Sequence, residues 1–180
     1  MKKFYVILFS ILLLSVFFIT GISKVNSAPP GLQNIKTNLG PEWDLAFFDM
    51  NGTQWIAEYG LKGEDVVNFK WTKLITINCI YSVPKTETAK SYSERFRELL
   101  SKQAQGMGKT LSFKYLNTPD NDVWFIWSIS GRNESELCRV YLANGNRYHL
   151  HYAHKKPQFT QQELNSAGSM LKNIQIASKF

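Results

Sequence analysis

Histidine is the side chain best suited to hold a metal ion or move a proton near neutral pH. All three histidines of this chain fall within six residues, at His149, His151 and His154. Side chains two apart on a strand share a face, so His149 and His151 project together, about 7 Å apart along the chain. Upstream, Asn144-Gly145 is a strong signal for a two-residue hairpin turn. Such a turn sets Val140 opposite His149 and Cys138 opposite His151. Two imidazoles and a thiol suit zinc or copper. His149, His151, His154 and Cys138 are therefore the candidate metal ligands. A plainer arrangement fits the same spacing, with Tyr148, Leu150 and Tyr152 facing the core and the histidines forming a polar or half-buried outer face. No Asp or Glu stands beside the cluster in sequence to complete a site.

Cys79 and Cys138 are the only cysteines. In an oxidising compartment they are candidates for a disulfide closing a loop of about 60 residues, which the chain-entropy model values at about 4 kcal/mol. The alternative is two small buried apolar residues on separate strands. A disulfide and a metal thiolate at Cys138 exclude each other.

Covalent catalysis finds no support. The chain has no G-x-S-x-G elbow and no local Cys-His protease signature. The acid pairs Glu94 with Glu98, Glu134 with Glu136, and Asp120 with Asp122 read as solvated faces or turns. Asp120-Asn121-Asp122 lacks the glycine and the terminal Glu of a calcium loop. Asn51-Gly52-Thr53 and Asn133-Glu134-Ser135 match the glycosylation sequon, which matters only in a eukaryotic host. Trp71, Trp124 and Trp127 read as core. Trp43 and Trp55 flank a hairpin and are the candidates for a binding surface.

The elements that carry these residues follow from periodicity. Residues 43–48 and 53–59 form a hairpin across Asn51-Gly52, and residues 68–83 a long β-rich run in which Trp71, Ile75, Ile77, Cys79 and Tyr81 share one alternation. Tyr92, Phe96, Leu99 and Leu100 recur at helical spacing after Thr86 or Thr88, either of which can cap, and Gly106 and Gly108 can stop the helix. Four strands follow at 110–116, 123–130, 137–143 and 147–153. Thr160-Gln161-Gln162-Glu163 is a capping box for a last helix, with Phe159 and Leu164 as its staple and Leu164, Ala167, Leu171 and Ile174 on its apolar face. Grouped strands with two helices predict an α+β domain, an antiparallel sheet of six to seven strands between two helices. Trp124-Phe125-Ile126-Trp127 is bulky on both alternations, which fits a sheet covered on both faces.

The N-terminus supplies an address. Lys2 and Lys3 precede an apolar run from Phe4 to Ile22, and small residues follow at Ser27 and Ala28. This order predicts a secretory signal peptide over residues 1–27, a flexible leader over 28–41 and a single globular domain over 42–180. Loss of residues 1–27 removes Lys2, Lys3 and Lys24 and no acid, so the net charge falls from +7 to +4, with 18 basic against 14 acidic residues. That excess is too mild and too scattered for a nucleic-acid footprint. No later stretch reaches membrane length.

From Leu137 to Ile176 the chain resembles the C-terminal half of the PsbP-like fold family. The resembling pieces are Cys138-Arg139-Val140-Tyr141-Leu142, the Asn144-Gly145-Asn146 turn, Arg147-Tyr148-His149-Leu150-His151-Tyr152-Ala153, and a Pro-containing loop leading to an amphipathic helix and Asn173-Ile174-Gln175-Ile176. The resemblance implies an α/β/α sandwich and a binding or accessory role in place of catalysis, and it carries no active site over. The expectation is an exported, periplasmic or extracellular, monomeric binding protein for a protein, glycan or small-molecule ligand. Two alternatives stand beside it: a metal-binding protein built on His149 and His151, and a secreted effector acting on a host molecule.

Overall fold

Seven strands hydrogen-bond into one antiparallel sheet in the computed structural model, which describes residues 35–176. A short β1 (Ile35–Lys36) precedes β2 (Trp43–Asn51), β3 (Gln54–Leu61) and β4 (Lys73–Ile80). Helix α1 (Ala89–Gly106) follows, then β5 (Leu111–Asn117), β6 (Asp122–Ile129), β7 (Ser135–Ala143) and β8 (Asn146–His154). Helix α2 (Gln161–Asn173) and β9 (Gln175–Ile176) complete the described chain. The sheet order is β2-β3-β4-β8-β7-β6-β5, so the two hairpin groups meet where β4 pairs with β8. β1 and β9 form a separate two-stranded ribbon. Part of the expected leader is thus paired, and Leu39 packs on the core. The expected signal segment lies outside the described residues. Among those described, no helix is long and apolar enough to cross a membrane.

Turn chemistry sets the registers. Asn144 and Gly145 both have positive φ, 53° and 76°, the requirement of a type I′ turn. The β7–β8 register follows, with Val140 opposite His149 and Cys138 opposite His151 as expected. Gly52 takes φ 43° in the first hairpin. One extra residue there breaks the simple alternation: the register shifts between Leu45 and Phe47, so Phe48 joins Leu45 on the core face and stacks on Trp55.

The two helices cover opposite faces. α1 starts at a Thr88/Ser91 capping box and lays Tyr92, Phe96, Leu100 and Ala104 over β5, β6 and β7. α2 starts at the expected Thr160/Glu163 box and buries Ala167 and Leu171 against β7 and β8. The fold is an α+β sandwich with a sheet as its middle layer. α1 sits off-centre, over the β5 side, and leaves the inner parts of β3 and β4 on that face without a helix above them.

Candidate functional site

Strand parity decides which chemistry meets. On β8, Tyr148, Leu150 and Tyr152 point to the α2 face and join its core. Arg147, His149, His151 and Ala153 point to the α1 face. His154 falls on the α2 side, its Nε2 2.7 Å from Ser135 Oγ and its ring stacked on Phe159 at 4.0 Å. It does not join the other two. His149 and His151 are buried, beyond the polar or half-buried outer face of the plainer arrangement. They are 0 % and 8 % exposed, because α1 and Phe96 close over them.

Cys138, fully buried on β7, completes a compact group. One ligand atom each from Cys138, His149 and His151 lie within 4.8 Å of one another. The outer shell is in place as well. His149 Nδ1 is 3.1 Å from the Tyr92 hydroxyl, and His151 Nδ1 is 2.8 Å from Glu136 Oε2. The carboxylate accepts from His151 Nδ1–H, and Cys138 Sγ lies 3.5 Å from the same nitrogen. The Nε2 atoms of both rings are buried without a partner. Imidazoles tied down at one nitrogen by a carboxylate or other polar group, with the second nitrogen left over, are what metal-ligating histidines present. Burial, with help from the neighbouring His151 and Arg147, holds the His149 imidazole well below its ordinary titration range, so it is neutral, the form that ligates. Burial and Glu136 push the Cys138 thiol well above its usual range, so binding an ion there must release a proton.

Cys79 belongs to the opposite face. It points into the α2-side core, whereas Cys138 points to α1, and both are free thiols. The expected disulfide is therefore corrected: the sheet itself stands between the sulfurs. Trp43 and Trp55, expected on a binding surface, are 8 % and 1 % exposed and pack with Tyr59, Ile75 and Tyr152. Trp55 shares its strand face with Ala57 and Tyr59, which places its ring in the α2-side core beside Trp43. Trp71 does not share the alternation of Ile75 and Cys79, because β4 begins only at Lys73. It sits with Val66, Leu74 and Ala153 in a small cluster of its own.

Beside the histidines lies a groove between α1 and the uncovered part of β3 and β4. Its cavity is about 70 Å³, room for a few waters. Glu58, Thr76, Asn78, Gln103, Glu136 and His151 supply its polar lining, with Trp71, Phe96 and Trp127 as aromatic walls. Glu134 and Glu136, expected on a solvated face, have side chains only 20 % and 13 % exposed. Glu134 pairs with Lys155, and Glu136 with His151. Glu58 and Asn78 went unnoticed in the sequence. The signal was there: each is a polar residue inside an otherwise apolar strand segment, Ile56-Ala57-Glu58-Tyr59 and Ile77-Asn78-Cys79.

Burial pushes the Glu58 carboxyl up from 4.5 to about 7, against smaller opposing pulls from His151 and the Thr76 hydroxyl. A raised carboxyl pKa means that the folded state holds more protons than the unfolded one between those two values. Its contribution is then complete below about pH 4.5 and is lost as pH rises through about 7. Glu58→Gln should flatten this slope. Between pH 5 and 8 the unaltered protein should lose about 1–3 kcal/mol more than the variant in urea titrations. Parallel profiles would show that Glu58 ionises freely in the fold.

The chain matches no protein-family model and no curated protein. Among solved structures it is similar to a Mog1 mutant, at 12 % identity over 76 % of this chain and 79 % of that one, with a TM-score of 0.43. It is similar to the Saccharomyces cerevisiae Ran-binding protein Mog1p at 11 % identity over 76 % and 78 % of the two chains, with the same TM-score.

Proposed function

We propose that this is an exported binding protein that holds a zinc or copper(I) ion on Cys138, His149 and His151, and that it does not turn over a substrate. The observation that carries the reading is the approach of one ligand atom from each of these three side chains to within 4.8 Å on two paired strands, with Cys138 Sγ 3.5 Å from His151 Nδ1. Donors around a tetrahedral zinc stand about 3.3–3.8 Å apart, a separation set by the Zn–N and Zn–S bond lengths, so closure on an ion asks for side-chain shifts of about 1 Å. Two nitrogens and a thiolate form a soft, three-donor set that also suits trigonal copper(I). Glu136 Oε2, 3.9 Å from Cys138 Sγ, is in reach as a fourth donor.

Burial favours holding over catalysis. A catalytic ion keeps an open position for substrate, whereas structural and storage sites are closed. Here α1 covers Cys138 and His149 completely. The PsbP-like resemblance of residues 137–176 points the same way, toward binding or accessory roles. The lysine-led apolar run at residues 2–22 supports export, where metal-binding thiols meet exchangeable ions.

Chelator-treated, untagged protein titrated with cobalt(II) should develop a thiolate-to-metal charge-transfer band that Cys138→Ser abolishes. Zinc at a hundredfold excess over its Kd should add about 2.7 kcal/mol, which is about 5–10 °C in Tm for a chain of this size. His149→Ala/His151→Ala should remove both responses. A folded, metal-free protein with no band and no shift overturns the metal reading. Recovery of unprocessed chain from the cytosol overturns export.

A further inference from the structure

The groove between α1 and β3–β4 is a second site, which shares His151 and Glu136 with the metal-donor cluster. Its floor is rich in hydrogen-bond acceptors, with Gln103 Nε2 as a buried amide donor beside them. The Glu58 carboxylate has no Lys or Arg within ion-pair distance among the described residues. Asn78 is 6 % exposed, and its Oδ1 is buried with no partner. Buried acceptors without donors are costly, about 1–3 kcal/mol each, and call for a donor that enters from outside. Glu58, Glu136, which already pairs with His151, and the Asn78 amide oxygen face one space and together favour a positively charged group rich in N–H.

The walls agree with the floor. Phe96, Trp71 and Trp127 line the space, and aromatic faces attract cations once water is excluded. The rim already holds one ammonium in this way: Lys155 Nζ stands 3.7 Å from the Trp71 ring centroid and is ion-paired to Glu134. Size narrows the class further. About 70 Å³ admits a small charged head group. At the mouth, Leu99 is 39 % exposed and offers an apolar surface to an alkyl chain. We propose that this groove binds the ammonium or guanidinium head of a small organic cation, held by Glu58, Glu136 and Asn78 Oδ1 between aromatic walls, with its alkyl part leaving over Leu99.

The test uses chelator-treated protein at pH 8, so that its outcome does not depend on metal. Butylguanidinium and butylammonium are titrated by calorimetry and by tryptophan fluorescence, against butylurea as the neutral isostere. Saturable binding of at least one cation is expected, with butylurea at least tenfold weaker. Glu58→Gln should weaken the cation at least tenfold and leave butylurea unchanged. Asn78→Leu replaces an unpaired buried amide by a side chain of similar volume, so it should fold, and it should weaken binding about fivefold. Equal affinity for butylurea, an affinity unchanged in folded Glu58→Gln, or no saturation by about 20 mM overturns the proposal.

Discussion

Trp55→Ala should cost about 3–5 kcal/mol and lower Tm by roughly 10 °C or more. Trp55 is 1 % exposed, is stacked on Phe48, and lies in the core cluster with Ile75, Ile77 and Tyr148. Truncation there removes the largest fully buried side chain of the domain and leaves a cavity that sheet backbone on both sides cannot collapse to fill. Trp43, 8 % exposed and edge-on to Tyr152, should add to the loss when it too is replaced. Chemical denaturation of the single and double variants measures both. A Tm shift below about 2 °C for Trp55→Ala would return this tryptophan to the surface and restore a recognition role for the hairpin.

Glu87→Ala should be equally severe, at about 3–5 kcal/mol, for an electrostatic reason. The Glu87 carboxylate reaches Arg147 at 2.5 Å and Arg95 at 2.6 Å. Side chains of Glu87 and Arg147 are only 11 % and 9 % exposed, so neither charge is well hydrated without the other. The Arg147 guanidinium lies 3.8 Å from the Tyr92 ring centroid, and the Tyr92 hydroxyl holds His149. The pair thus ties the start of α1 to β8 beside the metal donors. Removing only the acid strands a buried cation. Removing both charges, as in Glu87→Ala/Arg147→Met, should recover much of the loss, because apolar replacement of a buried pair is often neutral or better. Guanidinium or urea titration of the three variants checks the order. A Glu87→Ala cost below about 1 kcal/mol would mean that Arg147 finds water in the folded state.

The candidate metal site shows where reading along the chain succeeds. The Asn144-Gly145 turn demands two positive φ values, and only one register is compatible with a two-residue loop. Period 2 then places His149 and His151 on one face with Cys138 opposite His151. None of this needs tertiary information. The same parity argument separates His154 from the group, since residue 154 differs from 149 and 151 by an odd number of positions.

Reading along the chain fails where the answer depends on which face is covered, or on partners distant in sequence. Glu136 and Glu58 reach His151 and its groove from β7 and β3, 15 and 93 residues away. A sheet covered on both faces was expected, but which side chains that cover reaches was not legible: Glu136 and the pair Trp43 and Trp55 are buried by partners distant in sequence. Cys79 and Cys138 both lie on strands of the same sheet, yet they point to opposite sides of it.

Local signals in the chain determined the elements, their caps and turns, the β7–β8 register, and the alignment of two histidines with one cysteine, because each depends on backbone geometry over a few residues. The tertiary structure alone decided that this trio is buried, that Tyr92 and Glu136 anchor it, that the two thiols never meet, and that a groove bearing carboxylates opens beside it. Those outcomes depend on where α1 settles across the sheet, and that is set by packing between strands and a helix that are far apart in the chain.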